Sequence, residues 1–215
     1  MPNAATVGSP TSHGNPLSPG PGCLSVNIGY QPAWRALPSG MASAVEGISN
    51  AVDSFMKKPQ MTPADATPSI VEISARLVAG GAAAAANGAP ATVASASSSV
   101  AAVNATNVAL TTTWTAASVV PGGQPAANIA YTEGIKAATA AAATAVVSAM
   151  AGISDMHVCP VPVPIPPHGP GFVTRGSGTV NIGDLPAARQ QDKVFEACGG
   201  EDPIAMGCPT VNIGG

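Results

Sequence analysis

"GTVNIGDLPAAR", residues 178–189, contains a tetrapeptide that occurs three times in 215 residues. Val26-Asn27-Ile28-Gly29, Val180-Asn181-Ile182-Gly183 and Val211-Asn212-Ile213-Gly214 are identical, and such an internal repeat bears on the architecture before any propensity argument. Its surroundings repeat as well. His13-Gly14 precedes Val26 by thirteen residues, His168-Gly169 precedes Val180 by twelve, and Cys198-Gly199 precedes Val211 by thirteen. Each unit runs from a His or Cys and a Gly, through a Gly/Pro-rich bend, into a strand ending at Gly. The residue that opens each strand is Cys23, Ser177 or Cys208. Serine serves there once, so the two cysteines read as small packing residues. Pro32-Ala33-Trp34-Arg35 follows the first repeat at the offset at which Pro186-Ala187-Ala188-Arg189 follows the second, and the chain ends before a third copy could occur.

Three quasi-equivalent units imply threefold pseudo-symmetry, which would bring His13, His168 and Cys198 together. "DMHVCP", residues 155–160, offers a fourth donor, His157 or Cys159. The set His13, His157, His168 and Cys198, with Cys159 as the alternative to His157, is suited to a tetrahedral Zn²⁺. A site closed by four protein ligands leaves no position for water, so the chain reads as no enzyme. A zinc hydrolase with Asp155 or Glu196 as base would need three ligands and an open fourth position. Arg35 and Arg189, in the two Pro-Ala-X-Arg turns, are expected to bind a carboxylate or backbone carbonyls.

Only 9% of the residues are charged and the net charge is −3, while Gly and Pro number 24 and 22. With 46% hydrophobic residues this is a folded, turn-rich chain rather than a disordered one. It has no basic footprint, which argues against nucleic acid as a partner. "MPNAATVGSP" has neither the basic nor the apolar region of a secretory signal peptide. Four cysteines in a chain that folds in the cytoplasm favour free thiols or metal binding over disulfides.

Residues 1–40 and 155–215 share the Gly/Pro-rich, short-strand style, whereas 41–154 are rich in Ala, Ser, Thr and Val. Residues 77–132 contain no Asp, Glu, Lys or Arg. The expected fold class is therefore mainly β, with a threefold pseudo-repeat interrupted by a mostly α-helical, Ala-rich insertion. The insertion opens on a capping box, Ser43 with Glu46, and its helix places Ile48, Val52, Phe55 and Met56 on one face before Pro59 ends it. A second helix is expected from Thr132 to Ser154, and residues 92–120 are ambiguous between helix and strand. The uncharged stretch Ala137–Ile153 is mostly Ala and Thr and falls short of the roughly 20 apolar residues a membrane span needs. It reads as a soluble helix.

"PTSHG", "DMHVCP", "PPHGPG", "GTVNIGDLPAAR", "ACGG" and "GCPTVNIGG" together resemble the PAAR-repeat proteins, named for the Pro-Ala-Ala-Arg at 186–189. The resemblance covers the two ends of the chain and leaves 41–154 uncovered. It implies the tip of a contractile injection machine, chiefly the bacterial type VI secretion system. The implied fold is a small cone of short strands whose base sits on a trimeric, VgrG-like β-helical spike, with a zinc near the apex held by three His and one Cys. The implied function is to cap and sharpen the spike and help puncture a target membrane. The alternative is a carrier whose 41–154 insertion binds an effector toxin or chaperone, or itself contacts membrane. Such a protein is cytoplasmic at assembly and is then delivered outside the cell or into a target cell. The first copy reads PAWR, so Trp34 is expected to pack against the insertion.

Overall fold

The structure, a computed structural model, describes residues 1–162 and 167–214. Four short strands come first, β1 (Asn3–Ala4), β2 (Pro19–Gly20), β3 (Cys23–Ile28) and β4 (Gln31–Ala33). Four helices follow, α1 (Ala42–Met56), α2 (Pro63–Ala86), α3 (Ala91–Ser118) and α4 (Gln124–Ala149). The chain then returns to strands: β5 (Met156–Pro162), β6 (Pro167–Val173), β7 (Asn181–Ile182), β8 (Leu185–Pro186), β9 (Lys193–Glu196), β10 (Gly200–Pro203) and β11 (Cys208–Asn212).

The molecule is not mainly β. Of the described residues 44% are helix and 25% strand, and the helical part is the larger. Much of the excess lies in α2, which the sequence reading did not anticipate, and in α3, which spans the ambiguous stretch. Ser and Thr usually disfavour helix interiors because they compete for backbone groups. In α3 they bond back within the helix instead: Ser97 to the Val93 carbonyl, Thr112 to Val108, Thr113 to Ala109 and Thr115 to Thr111.

Ser43 does not cap α1. The cap position is Met41, with no side-chain bond, and Glu46 reaches away to Thr174 and Arg175. A capping box does open α2, where Thr62 and Asp65 exchange hydrogen bonds and Pro63 takes the first turn. Val45, Ile48, Val52 and Phe55 of α1 pack with Ile70, Ile73 and Leu77 of α2 and Ile135, Val146 and Val147 of α4. This core runs on into the strands through Phe172, Phe195, Ala197 and Cys198. By length and composition α2 could cross a bilayer, yet its apolar face is part of this core.

An antiparallel five-stranded sheet, ordered β10-β9-β6-β5-β2, lies against the helices. Gly171 of β6 is pressed to the neighbouring strand: a Cβ there would lie 2.7 Å from the Phe195 carbonyl oxygen.

The three VNIG repeats form a separate cluster built on β3–β4, β7–β8 and β11–β1. Ile28, Ile182 and Ile213 are buried together, Val26, Val180 and Val211 pack around them, and Asn27, Asn181 and Asn212 face outward. The third unit is completed by the N-terminus. Ala4-Ala5-Thr6 pairs in the place that Ala33-Trp34-Arg35 and Ala187-Ala188-Arg189 take in the other two. Three bonds close a ring: Ala5 N donates to Ala188 O, Ala188 N to Trp34 O, and Trp34 N to Ala5 O, at 2.9–3.0 Å. The bridges Ala4↔Arg189, Thr6↔Ala33 and Arg35↔Ala187 repeat the same rotation. Trp34 packs inside this ring with Ala5, Leu17, Val173, Ala188 and Val194, not against the helices.

Candidate metal centre

Five segments deliver polar side chains to one buried place. His13 sits in the turn after Thr11, where Gly14 takes φ +81° and its amide bonds the Thr11 carbonyl. Asp202 of β10 fixes that turn, its Oδ1 accepting from Ser12 Oγ at 2.6 Å and from the His13 amide at 3.0 Å. His157 and Cys159 alternate with exposed Val158 along β5, so both face inward. His168 comes from β6 and Glu196 from the end of β9.

His13 Nδ1 and His168 Nδ1 are 3.3 Å apart, and each lies 3.8 Å from Cys159 Sγ. Glu196 Oε2 is 2.6 Å from His168 Nδ1 and 3.5 Å from His13 Nδ1. A tetrahedral ion with bonds of about 2.0–2.3 Å separates its ligand atoms by about 3.3–3.8 Å. Four of these five distances fall in that range, and the fifth is a hydrogen-bond contact that a bound cation would open. His13, Cys159, His168 and Glu196 thus form one candidate group, and His157, Cys159, Glu196 and Asp202 a second that overlaps it.

The electrostatics point the same way. Burial, the largest cause, pushes the Glu196 carboxyl up to about 8 and the Cys159 thiol up to about 12. Burial also lowers the basicity of His157 and His168. Without a counter-charge the site resists the anionic forms that bind cations. Among the described residues, both ring nitrogens of His157, Oε1 of Glu196 and Oδ2 of Asp202 are buried without a hydrogen-bond partner. Unpartnered buried groups of this kind call for an explanation, and a cation would both partner the acceptors and hold the thiol as thiolate. The donor set therefore fits a divalent metal.

The structure brings together His13, His157, His168 and Cys159 from the sequence-derived set, but not Cys198. The Cys198 thiol points to α4, 3.6 Å from the Ala140 carbonyl and 3.8 Å from Thr144 Oγ1. Its backbone still serves the centre, since its amide donates to the His168 carbonyl at 3.0 Å. In the third unit the inward side chain is Glu196, two residues earlier. Gly199 leaves it room, because a Cβ there would collide with the His168 ring and the Glu196 carboxylate. Asp202 had no signal in the spacing at all, and Glu196 was legible only as an acid beside Cys198.

The two arginines hold equivalent positions in the first two repeats. Arg35 grips buried Asp155 with Nε at 2.9 Å and a terminal nitrogen at 2.6 Å, and reaches the Gly22 carbonyl at 3.4 Å. Arg189 binds Asp192 and the carbonyls of Gly176 and Gly214. Gly22 and Gly176 are the glycines that open the first two repeats.

Residues 164–215 match the family model described as PAAR motif, which supports a PAAR-repeat protein. No curated protein and no solved structure matches it. A PAAR motif suggests a spike-tip role in a contractile injection system, association with a spike protein, and metal binding.

Proposed function

We propose that the protein is the zinc-stapled tip of a contractile injection machine, seated on a trimeric VgrG-like spike. The observation that carries this reading is the cyclic ring of Ala5, Trp34 and Ala188 with the three VNIG strands around it. A single chain with three equivalent strand ends offers matching surfaces to a true trimer, and the strand ends supply unpaired backbone groups for end-to-end pairing. Leu24 and Tyr30, at 76% and 99% exposure beside the first repeat, supply apolar contact area on the same module.

Zinc would be held by His13, Cys159, His168 and Glu196, with a structural role. It ties the N-terminal turn to strands from the C-terminal third, which suits a module with little core of its own. No catalytic role is assigned to it. The protein would be assembled in the cytoplasm and leave it on firing. The helices are the place for cargo. A groove of Leu110, Trp114, Ala117, Val120, Ala127 and Tyr131 at the α3–α4 turn is apolar and uncharged, which favours an effector or chaperone as a second partner.

Native mass spectrometry of the protein mixed with the purified trimeric spike of its own injection system tests the reading. One copy per three spike chains is expected. Absence of any complex, or three copies per trimer, would overturn it.

A further inference from the structure

We infer that Tyr30 is the anchor by which one chain of the trimeric spike holds this protein, its ring entering an apolar pocket beside that chain's strand ends. This rests on the spike-tip reading. The three VNIG units form a pinwheel in which each turn laps the residue that opens another unit's strand. Gly29 lies against Cys208 Sγ, Gly183 lies against Cys23 Sγ, and the Gly214 carbonyl accepts from Ser177 Oγ. This pinwheel is at the end of the β module away from the metal centre. β6 and β9 bring His168 and Glu196 to the centre from one end, while Val173 and Val194 at the other end pack around Trp34. Ala33, next to Trp34, already belongs to the VNIG cluster.

Equivalent turns carry unlike side chains. Gly29-Tyr30 joins β3 to β4 and Gly183-Asp184 joins β7 to β8, and both residues of each loop have positive φ: 57° and 67° in the first, 54° and 63° in the second. That is the pattern of a type I′ hairpin turn, whose central positions suit Gly, Asn and Asp. Asp184 obeys the rule and Tyr30 breaks it. A bulky residue held in the left-handed region is strained, and the Tyr30 side chain, 99% exposed, recovers nothing from packing within its own fold. A partner outside the chain accounts for keeping it. The chemistry of that partner follows from charge. Among residues 22–34, 176–188 and 207–214 the only charged side chain is Asp184. Ion pairs therefore contribute little to docking on this face, and an aromatic anchor, with exposed Leu24 on the same hairpin, carries it instead. A threefold spike offers the same pocket three times. Tyr30 fills one, while the equivalent turn sets Asp184 before another, so the apolar anchoring falls on a single spike chain.

The test compares the full chain with Tyr30→Asn and Asp184→Asn in two measurements. One is the thermal midpoint of each protein alone, and the other is its affinity for the purified trimeric spike of its own injection system, by biolayer interferometry. Asparagine adopts the left-handed conformation readily. Tyr30→Asn is therefore expected to keep or raise the thermal midpoint while weakening spike binding about tenfold or more. A residue with only a structural role would not separate the two readouts. Asp184→Asn is expected to bind within about threefold of the wild type. Wild-type affinity in Tyr30→Asn overturns the anchor and leaves the spike-tip reading intact. Equal weakening by both variants, or a lowered midpoint for Tyr30→Asn, overturns it too. No binding by the wild type overturns both.

Discussion

The Ala188 amide donates to the Trp34 carbonyl at 3.0 Å, joining two repeats that are 154 residues apart in the chain. The same bond recurs from Trp34 to Ala5 and from Ala5 to Ala188, so the ring has three links and no spare. Replacing Ala5 by Pro deletes one donor and strands the buried Ala188 carbonyl, at a cost of about 1–3 kcal/mol. Trp34→Ala removes the largest side chain of that core and should cost about 3–5 kcal/mol. Urea unfolding followed by far-UV circular dichroism reads both. An unchanged midpoint for Ala5→Pro would mean that the ring does not hold the repeats together.

The helices pack through small residues, and this fixes the sign of a second effect. Gly81 lies in α2 against α3, where an added Cβ would sit 2.8 Å from Ala96 Cβ and 2.9 Å from the Thr92 carbonyl oxygen. Glycine to alanine inside a helix ordinarily stabilises by roughly 0.5–1 kcal/mol. Here the neighbour is backbone and cannot swing aside, and overpacking costs about 1–3 kcal/mol. Gly81→Ala should therefore lower the thermal midpoint. Gly178→Ala, where a Cβ would meet nothing within 4 Å and φ is not positive, should leave it unchanged or raise it. A rise for Gly81→Ala would show that α2 and α3 are not closely packed.

What the sequence made legible was whatever repeats in register. The VNIG strands, the inward His13 and His168 and the arginine turns all follow from one repeated unit. The third turn was missed because it is permuted: it lies at the other end of the chain, as Ala4-Ala5-Thr6, and keeps neither the Pro-Ala-Ala spelling nor the arginine. Cys198 shows the opposite hazard. It keeps the position of His13 and His168 in the repeat, yet its thiol turns to α4 and Glu196 takes the inward place. Equivalent spacing sets the backbone path; burial and neighbours decide which side chain enters. The weight of helix was underestimated because the polarity of Ser and Thr hides a helix whose hydroxyls bond their own backbone.

Metal-stripped protein should be most stable near pH 6.5–7. Burial lowers the basicity of His157 and His168, so below the ordinary histidine value near 6.5 the unfolded chain binds more protons and stability falls as pH falls. Glu196 works in reverse: the native state keeps its proton up to about 8 while the unfolded chain releases it near 4.5. Between about pH 7 and 8 the histidines are mostly neutral in both states, and stability should fall as pH rises, by at most about 1.4 kcal/mol per unit of pH. Metal-loaded protein should show the opposite slope there, because binding the cation releases protons. Chemical denaturation at a series of pH values, with and without a chelator, measures both. Equal slopes would mean that Glu196 does not meet the metal.

The two buried cysteines near the centre should separate cleanly. Cys159 Sγ lies 3.8 Å from both His13 Nδ1 and His168 Nδ1, whereas Cys198 Sγ faces Ala140 and Thr144. Cys159→Ser exchanges a soft thiolate for a weak hydroxyl ligand and should reduce zinc affinity at least tenfold. Cys198→Ser should leave zinc affinity within about twofold, since the hydroxyl can still bond the Ala140 carbonyl and Thr144. Competition against a chromogenic chelator measures both, and Co²⁺ loading adds an independent readout, because a thiolate-to-cobalt charge-transfer band must vanish in Cys159→Ser and persist in Cys198→Ser. The reverse pattern would place Cys198 in the coordination sphere and require its side chain to rotate away from α4.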